Sequence, residues 1–437
     1  MNNFTLKTDG RSLQEVERGL RKYLPGLDVR LWPHSPTQAI IRAPLVHALE
    51  TEYPQIGAGP LLNVLGIQEI RAVSDEATVA LLSGRDVEQL AVRPVAVIPP
   101  VAGLDWHLDL VRAPAAWQLL GGPGHIDWGQ VRVGHIDTGY TPHPVFGFPG
   151  ATWIDVARAQ SFMPSQAFNE VTMFDPELGQ GRDNLKGVSA GHGTRIASTI
   201  CGHAPQAQGG AFFGVAPKVP LLPLRVTDIV WINHAEFELA QAMNYAVETG
   251  GVQVINISLG IVGGGVVKAL KQAINRAYDM GVIVVCAAGN HVNSVVAPAR
   301  LARTIAVGGI TAVDRPWSGS SYGPEVDFSA PAADLRRANT KDGGRFSYAA
   351  GGDGTSYATA LTTGAAALWL VHRQAEIAAA YAQPWQRVAA FVQLASSTAR
   401  VPSLWNPGSF GAGILDIEAL LQAPLPAASD LVKAPLV

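Results

Sequence analysis

Cysteine is scarce: the chain has only Cys201 and Cys286. A small scaffold stapled by disulfides uses more, so stability has to come from a packed core. Cys286 stands inside the apolar run GVIVVCAAGN and reads as a small buried side chain; a single bridge to Cys201 is the alternative. No stretch reaches the roughly 18 uninterrupted apolar residues of a membrane-spanning helix. The opening MNNFTLKTDG lacks the basic-then-apolar pattern of a secretory leader. The expectation is a cytoplasmic chain with no membrane partner. An excess of one charge is also missing. The formal net charge is -3, too balanced to suggest a nucleic-acid partner or an anionic surface. There is no long internal repeat, only the short echo of HIDWG (125–129) in HIDTG (135–139).

Apolar material is abundant, with 48% hydrophobic against 15% charged residues. That composition belongs to a large folded core rather than a disordered chain. At 437 residues the prior is roughly two or three domains of about 150 residues each. Residues 1–100 read as a separate α+β unit. FTLKT, DVRLW and QAIIRA are strand candidates, and LVHALETEY is a helix candidate. In SLQEVERGLRKYL, Ser12 followed by Glu15 makes a capping box, and Leu13, Val16, Leu20 and Leu24 share one helical face. Pro99 and Pro100 mark a linker.

From about 104 to 425 the rhythm changes. The strand candidates are VRVGHID, PLLPLRV, VQVINISLG, GVIVVCAAGN and RTIAVGGI. They alternate with the helical patterns AEFELAQAMNYAVETGG and VVKALKQAINRAYDMG. The fold class this implies is α/β, a parallel sheet with helices on both faces. Chemistry in such sheets gathers at the carboxyl ends of the strands. Residues 426–437 read as a C-terminal tail.

Three segments carry groups that serine hydrolysis requires. A serine hydroxyl is a weak nucleophile, so a histidine must take its proton and a carboxylate must hold that histidine. In GDGTSYATALTTGAAALWL, Ser356 opens a small-residue helix, where free N–H groups favour negative charge. In SAGHGTRIASTICG, His192 opens another. In VRVGHIDTGYTPHP, Asp137 ends an apolar strand. Aspartic proteases need two Asp-Thr-Gly carboxylates, and this chain has one. Competing assignments are Asp127 for the acid, His143 for the base, and Ser321 in GSSYG, a nucleophile-elbow pattern pointing to an esterase. An esterase of that kind needs a histidine later in the chain, and only His372 follows Ser321.

The order Asp137, His192, Ser356 resembles that of the subtilases. WHLDLVRAPAAW, GVAPKVPLLPLRV, VINISLG, AAGN and FGAGILDIEALL extend the resemblance over about 104–420. It implies a serine endopeptidase acting on peptide or protein substrates through an acyl-enzyme. Ser356 would be the nucleophile, His192 the general base and Asp137 its orienting carboxylate. Asn290 would donate to the oxyanion, and Ser258, Leu259 and Gly260 would pair with substrate and line the main specificity pocket. No cofactor is implied for the chemistry. Structural calcium is a family feature without an identifiable site here, the acidic residues near 175–183 reading as a solvated loop. The first hundred residues would be an inhibitory propeptide, cleaved near VIPPVAGLDW. Two departures stand out: Ala360 and Leu361 replace a usual proline and histidine, predicting a straighter helix, and the long Asp137–His192 gap predicts a surface-loop insertion over 146–187. The alternative is an inactive binding protein on the same fold.

Overall fold

The computed structural model describes residues 3–8, 11–23, 31–35, 38–42, 67–73, 103–163, 182–183, 189–207, 209–341 and 345–437. The chain divides into two units, Met1–Ile98 and Pro99–Val437.

In the first unit β1 (Asn3–Thr8) pairs antiparallel with β3 (Gln38–Arg42) and β4 (Ile67–Val73). β2 (Trp32–Ser35) adds to β3, giving the order β2-β3-β1-β4. Helix α1 spans Leu13–Tyr23. Its capping box forms as expected. The Ser12 N–H donates to Glu15 Oε2 at 3.0 Å, and the Glu15 N–H donates to Ser12 Oγ at 3.3 Å. Val16 and Leu20 on the apolar face are buried. β2 starts later than DVRLW suggested, and β4 has no counterpart among the strand candidates. The expected helix LVHALETEY and the linker prolines lie outside the described residues.

The second unit is built on a seven-stranded sheet. In chain order its strands are β5 (Val133–Asp137), β6 (Gln160–Ser161), β7 (Leu221–Arg225), β8 (Val254–Ile257), β9 (Ile283–Ala287), β10 (Ile305–Ile310) and β11 (Phe328–Pro331). Their spatial order is β11-β10-β9-β8-β5-β7-β6, with every pairing parallel. Side chains alternate across the sheet, so both faces must be apolar. Ile283 and Val285 enter one core, Val284 and Cys286 the other. The first core holds α2 (His192–Cys201), α5 (Thr355–Ala380), α6 (Pro384–Ser397) and α7 (Ile417–Gln422). The second holds α3 (Glu236–Glu248) and α4 (Lys268–Asp279). All five strand candidates form, with helices on both faces. Helix α5 runs unbroken through Ala360 and Leu361, and every residue from Thr355 to Leu370 is buried. None of the described helices is long and apolar enough to cross a membrane.

Two expectations change. The 146–187 stretch is not wholly a surface loop: Ile154 is buried and bridges to Leu221, and β6 extends the sheet edge. The tail is strapped down. Ala434 N–H donates to the Tyr278 hydroxyl at 3.0 Å, and Arg303 donates to the carbonyls of Ala434 and Pro435. Both cysteines are buried and free, so no bridge forms. A hairpin not expected from sequence, β12 (Leu335–Lys341) with β13 (Arg345–Gly352), precedes α5.

Candidate active site

One sheet strand and two helix starts meet at one place. Asp137 is the last residue of β5, His192 the first of α2, and Ser356 the second of α5. α2 approaches the Asp-Thr-Gly turn so closely that a methyl on Gly193 would stand 2.1 Å from the Gly139 carbonyl oxygen. That contact explains why glycine follows the histidine.

The three side chains form a line. Asp137 Oδ1 lies 2.6 Å from His192 Nδ1, and His192 Nε2 lies 3.3 Å from Ser356 Oγ. Asp137 is fully buried, and its Oδ1 also accepts the Thr138 N–H at 2.7 Å. Burial alone would raise this carboxyl. The facing His192, with help from His135 and the Thr138 N–H, outweighs it and holds the pKa below the usual carboxylate value. The carboxylate is therefore ionised at neutral pH. His192 keeps a small opening to solvent and Ser356 is 5% exposed. Asp127 is exposed and closes its own turn by accepting the Gly129 N–H. His143 is buried among Phe146, Phe346 and Tyr348 and accepts the Val145 N–H. Neither takes part in the line.

Asn290 follows β9 and points at the start of α5. Its Oδ1 accepts both the N–H and the hydroxyl of Thr355, each at 2.8 Å. With the oxygen turned inward, the amide nitrogen faces Gly354: a methyl placed there would stand 3.3 Å from Asn290 Nδ2. Gly354 has φ 141°, a conformation closed to most side chains. It leaves room in front of the amide, beside the Ser356 N–H in the first turn of α5. Thr355 was not singled out from the sequence, because what it does depends on a partner 65 residues away.

The Ser258–Gly260 segment behaves residue by residue. The Ser258 carbonyl accepts from Ser356 Oγ at 3.3 Å, and Ser258 Oγ donates to the Ser356 carbonyl at 3.2 Å. Leu259 is 1% exposed and its side chain packs into the core with α3 and α4. Gly260 is already paired, its N–H with the Val230 carbonyl and its carbonyl with the Ile232 N–H. Behind these lies a buried polar layer. His135 donates from Nε2 to the Gly193 carbonyl at 2.9 Å, and its Nδ1 faces the Asn256 amide at 3.3 Å. Asn256 in turn donates to Ser258 Oγ and accepts the Thr363 hydroxyl.

Asp183 belongs to the site's framework rather than to a solvated acidic loop. It is 3% exposed. It accepts the Thr138 hydroxyl at 2.7 Å, the Thr194 N–H at 2.9 Å and the Thr194 hydroxyl at 2.8 Å. Among the described residues no group of three His, Cys, Asp or Glu side chains converges as a metal site; the acidic residues between 175 and 181 lie outside them. Ser321 is fully buried and its hydroxyl has no hydrogen-bond partner among the described residues. Its N–H donates to the Gly289 carbonyl at 2.8 Å. It supports the turn under Asn290, and among the described residues no histidine bonds to it.

The family model of the subtilases matches residues 129–401. The alkaline protease of Alkalihalobacillus alcalophilus is 31% identical over 297 residues, covering 66% of this chain and 67% of that protein. Subtilisin BL of Lederbergia lenta is 32% identical over 265 residues, or 60% of this chain and 82% of that protein. Among solved structures, MycP1 with its N-terminal propeptide removed gives a TM-score of 0.54 at 26% identity, covering 74% of this chain and 98% of that one. With a profile match over more than half its length and these relatives, the chain belongs to the subtilase family and is a serine-type endopeptidase.

Proposed function

We propose that the protein cuts peptide bonds through Ser356, His192 and Asp137, by way of an acyl-enzyme. The Ser356 hydroxyl attacks the scissile carbonyl as its proton passes to His192 Nε2. The imidazolium, held at Nδ1 by the ionised Asp137, then gives that proton to the leaving amine. A water molecule repeats the cycle on the ester, releasing the acid and restoring Ser356. Asn290 Nδ2 and the Ser356 N–H receive the oxyanion. The Ser258 carbonyl accepts the N–H of the residue before the cut. A longer substrate replaces the bonds of Gly260 to Val230 and Ile232 with its own. This chemistry uses no cofactor.

The observation that carries this reading is the continuous line at 2.6 Å and 3.3 Å from Asp137 through His192 to Ser356. Replacing Ser356 or His192 by alanine is expected to lower turnover on an unfolded protein substrate by about 10⁶-fold, the magnitude known from subtilisin itself. Hydrolysis surviving in Ser356→Ala would overturn the assignment.

The reading extends to the N-terminal unit as an intramolecular inhibitor, removed by self-cleavage within residues 97–106. An antiparallel sheet with, among the described residues, one capped helix suits a small, self-supporting unit, and the related MycP1 carries a propeptide at its N-terminus. N-terminal sequencing of active protein should find a new terminus in that stretch. Active protein that retains Met1 would sink the idea.

A further inference from the structure

The scissile carbonyl has to lie within reach of both Ser356 Oγ and the Asn290 amide. Its residue then sits between two chain segments, Ser258–Gly260 after β8 and Ala288–Asn290 after β9. These strands are direct neighbours, with Ile257 beside Cys286, so the two segments leave the sheet side by side. The side chain of the residue before the cut must enter the gap between them. Each wall presents a glycine there, Gly260 on one side and Gly289 on the other.

One side chain, that of Val296, lies against both walls of that gap. A methyl on Gly260 would stand 2.9 Å from Val296 Cγ2, and one on Gly289 would stand 2.8 Å from Val296 Cγ1. Val296 therefore rests one methyl against each wall, and it is 4% exposed. Its backbone is held from both sides. The Val296 N–H donates to the Ala288 carbonyl at 2.9 Å, while the next residue, Ala297, exchanges two hydrogen bonds with Ile261 at 2.7 and 3.1 Å. A β-branched side chain has little rotamer freedom, so it does not swing aside.

We infer that Val296 is the specificity-determining residue: it fills the pocket from below, and the protease cuts after small residues such as alanine, glycine or serine rather than after aromatic ones. The inference deepens the proposed reading and rests on Ser356 as nucleophile. Rejection of a side chain too large for the space left by Val296 follows from overpacking, since pinned walls cannot yield without cost. One methylene in an apolar pocket changes kcat/KM by about 10–200-fold.

The test uses the full chain and two tetrapeptide p-nitroanilides that differ only in alanine or phenylalanine before the amide. The expected result is a preference for alanine of at least about 100-fold in kcat/KM. Val296→Gly should move the ratio toward phenylalanine by a comparable factor, and Val296→Ala, the milder change should the glycine variant fold poorly, by a smaller one. Equal cleavage of both substrates by the unchanged protein, or a ratio unmoved in both variants, would overturn the inference. Ser356→Ala separates the two levels. If it abolishes hydrolysis while phenylalanine is preferred, only the pocket assignment fails; if hydrolysis persists in it, the catalytic reading fails.

Discussion

Asn290 is oriented from behind. Its oxygen is occupied twice by Thr355, so the amide nitrogen is already aimed before any charge develops, which is the condition for effective oxyanion stabilisation. Asn290→Ala should lower kcat by about 10²–10³ with little change in KM, the magnitude established on subtilisin, this family's own type enzyme. Thr355→Val keeps the N–H but loses both hydrogen bonds of the hydroxyl, the one it donates to Asn290 Oδ1 and the one it accepts from the Gly289 N–H, about 1 kcal/mol each, and should cost roughly five- to thirtyfold in kcat. Steady-state kinetics on one peptide substrate measures both; an Asn290→Ala effect falling on KM instead would place the side chain outside the oxyanion site. At this scale the sequence was legible where a residue type and its local setting coincide. Asp137 at a strand end and Ser356 and His192 at helix starts were readable in that way. Thr355, Asp183 and Val296 were not, because each acts through a partner distant in the chain.

The elements themselves are held in register by Asp183. Its carboxylate ties the Thr138 hydroxyl of the Asp-Thr-Gly turn to the first turn of α2 through Thr194. It thereby fixes the distance between Asp137 and His192 without touching either. Asp183→Ala leaves three buried donors without their acceptor, at about 1–3 kcal/mol for each unsatisfied group. The expected outcome is a lower urea midpoint and a fall in kcat that exceeds any change in KM, with Asp183→Asn recovering part of both. Unchanged stability and rate would show that the turn and helix are placed by packing alone. The sheet strands were readable because double-sided burial makes them continuous apolar runs. The β12–β13 hairpin was not, since LRRANTK looks like a solvated segment. Arg336 is in fact 3% exposed, lying against Phe212 and Tyr348 and donating to the carbonyls of Ala211 and Gly210. A charge satisfied by distant backbone leaves no local trace.

For the molecule as a whole, buried histidines set the response to acid. Burial pushes His143 down to about 4 and, with Arg336 nearby, pushes His107 down to about 3. An unfolded histidine titrates near 6.5, so between about 6.5 and about 4 these two histidines bind more protons unfolded than folded. Their contribution to stability is complete above about pH 6.5 and declines as pH falls; Asp327, which burial pushes up to about 7, works in the opposite direction. Urea unfolding of the Ser356→Ala protein, chosen to avoid self-digestion, should show a lower midpoint at pH 5 than at pH 7. His143→Leu should flatten part of that slope; an equal slope in both proteins would assign the acid response to other groups.

The central claim is that one hydroxyl, Ser356, is activated by His192. A fluorophosphonate reacts only with a serine so activated, and mass spectrometry locates the adduct. The account predicts modification of Ser356 alone, lost in His192→Ala. An adduct on Ser321, or labelling of Ser356 that continues undiminished without His192, would contradict it.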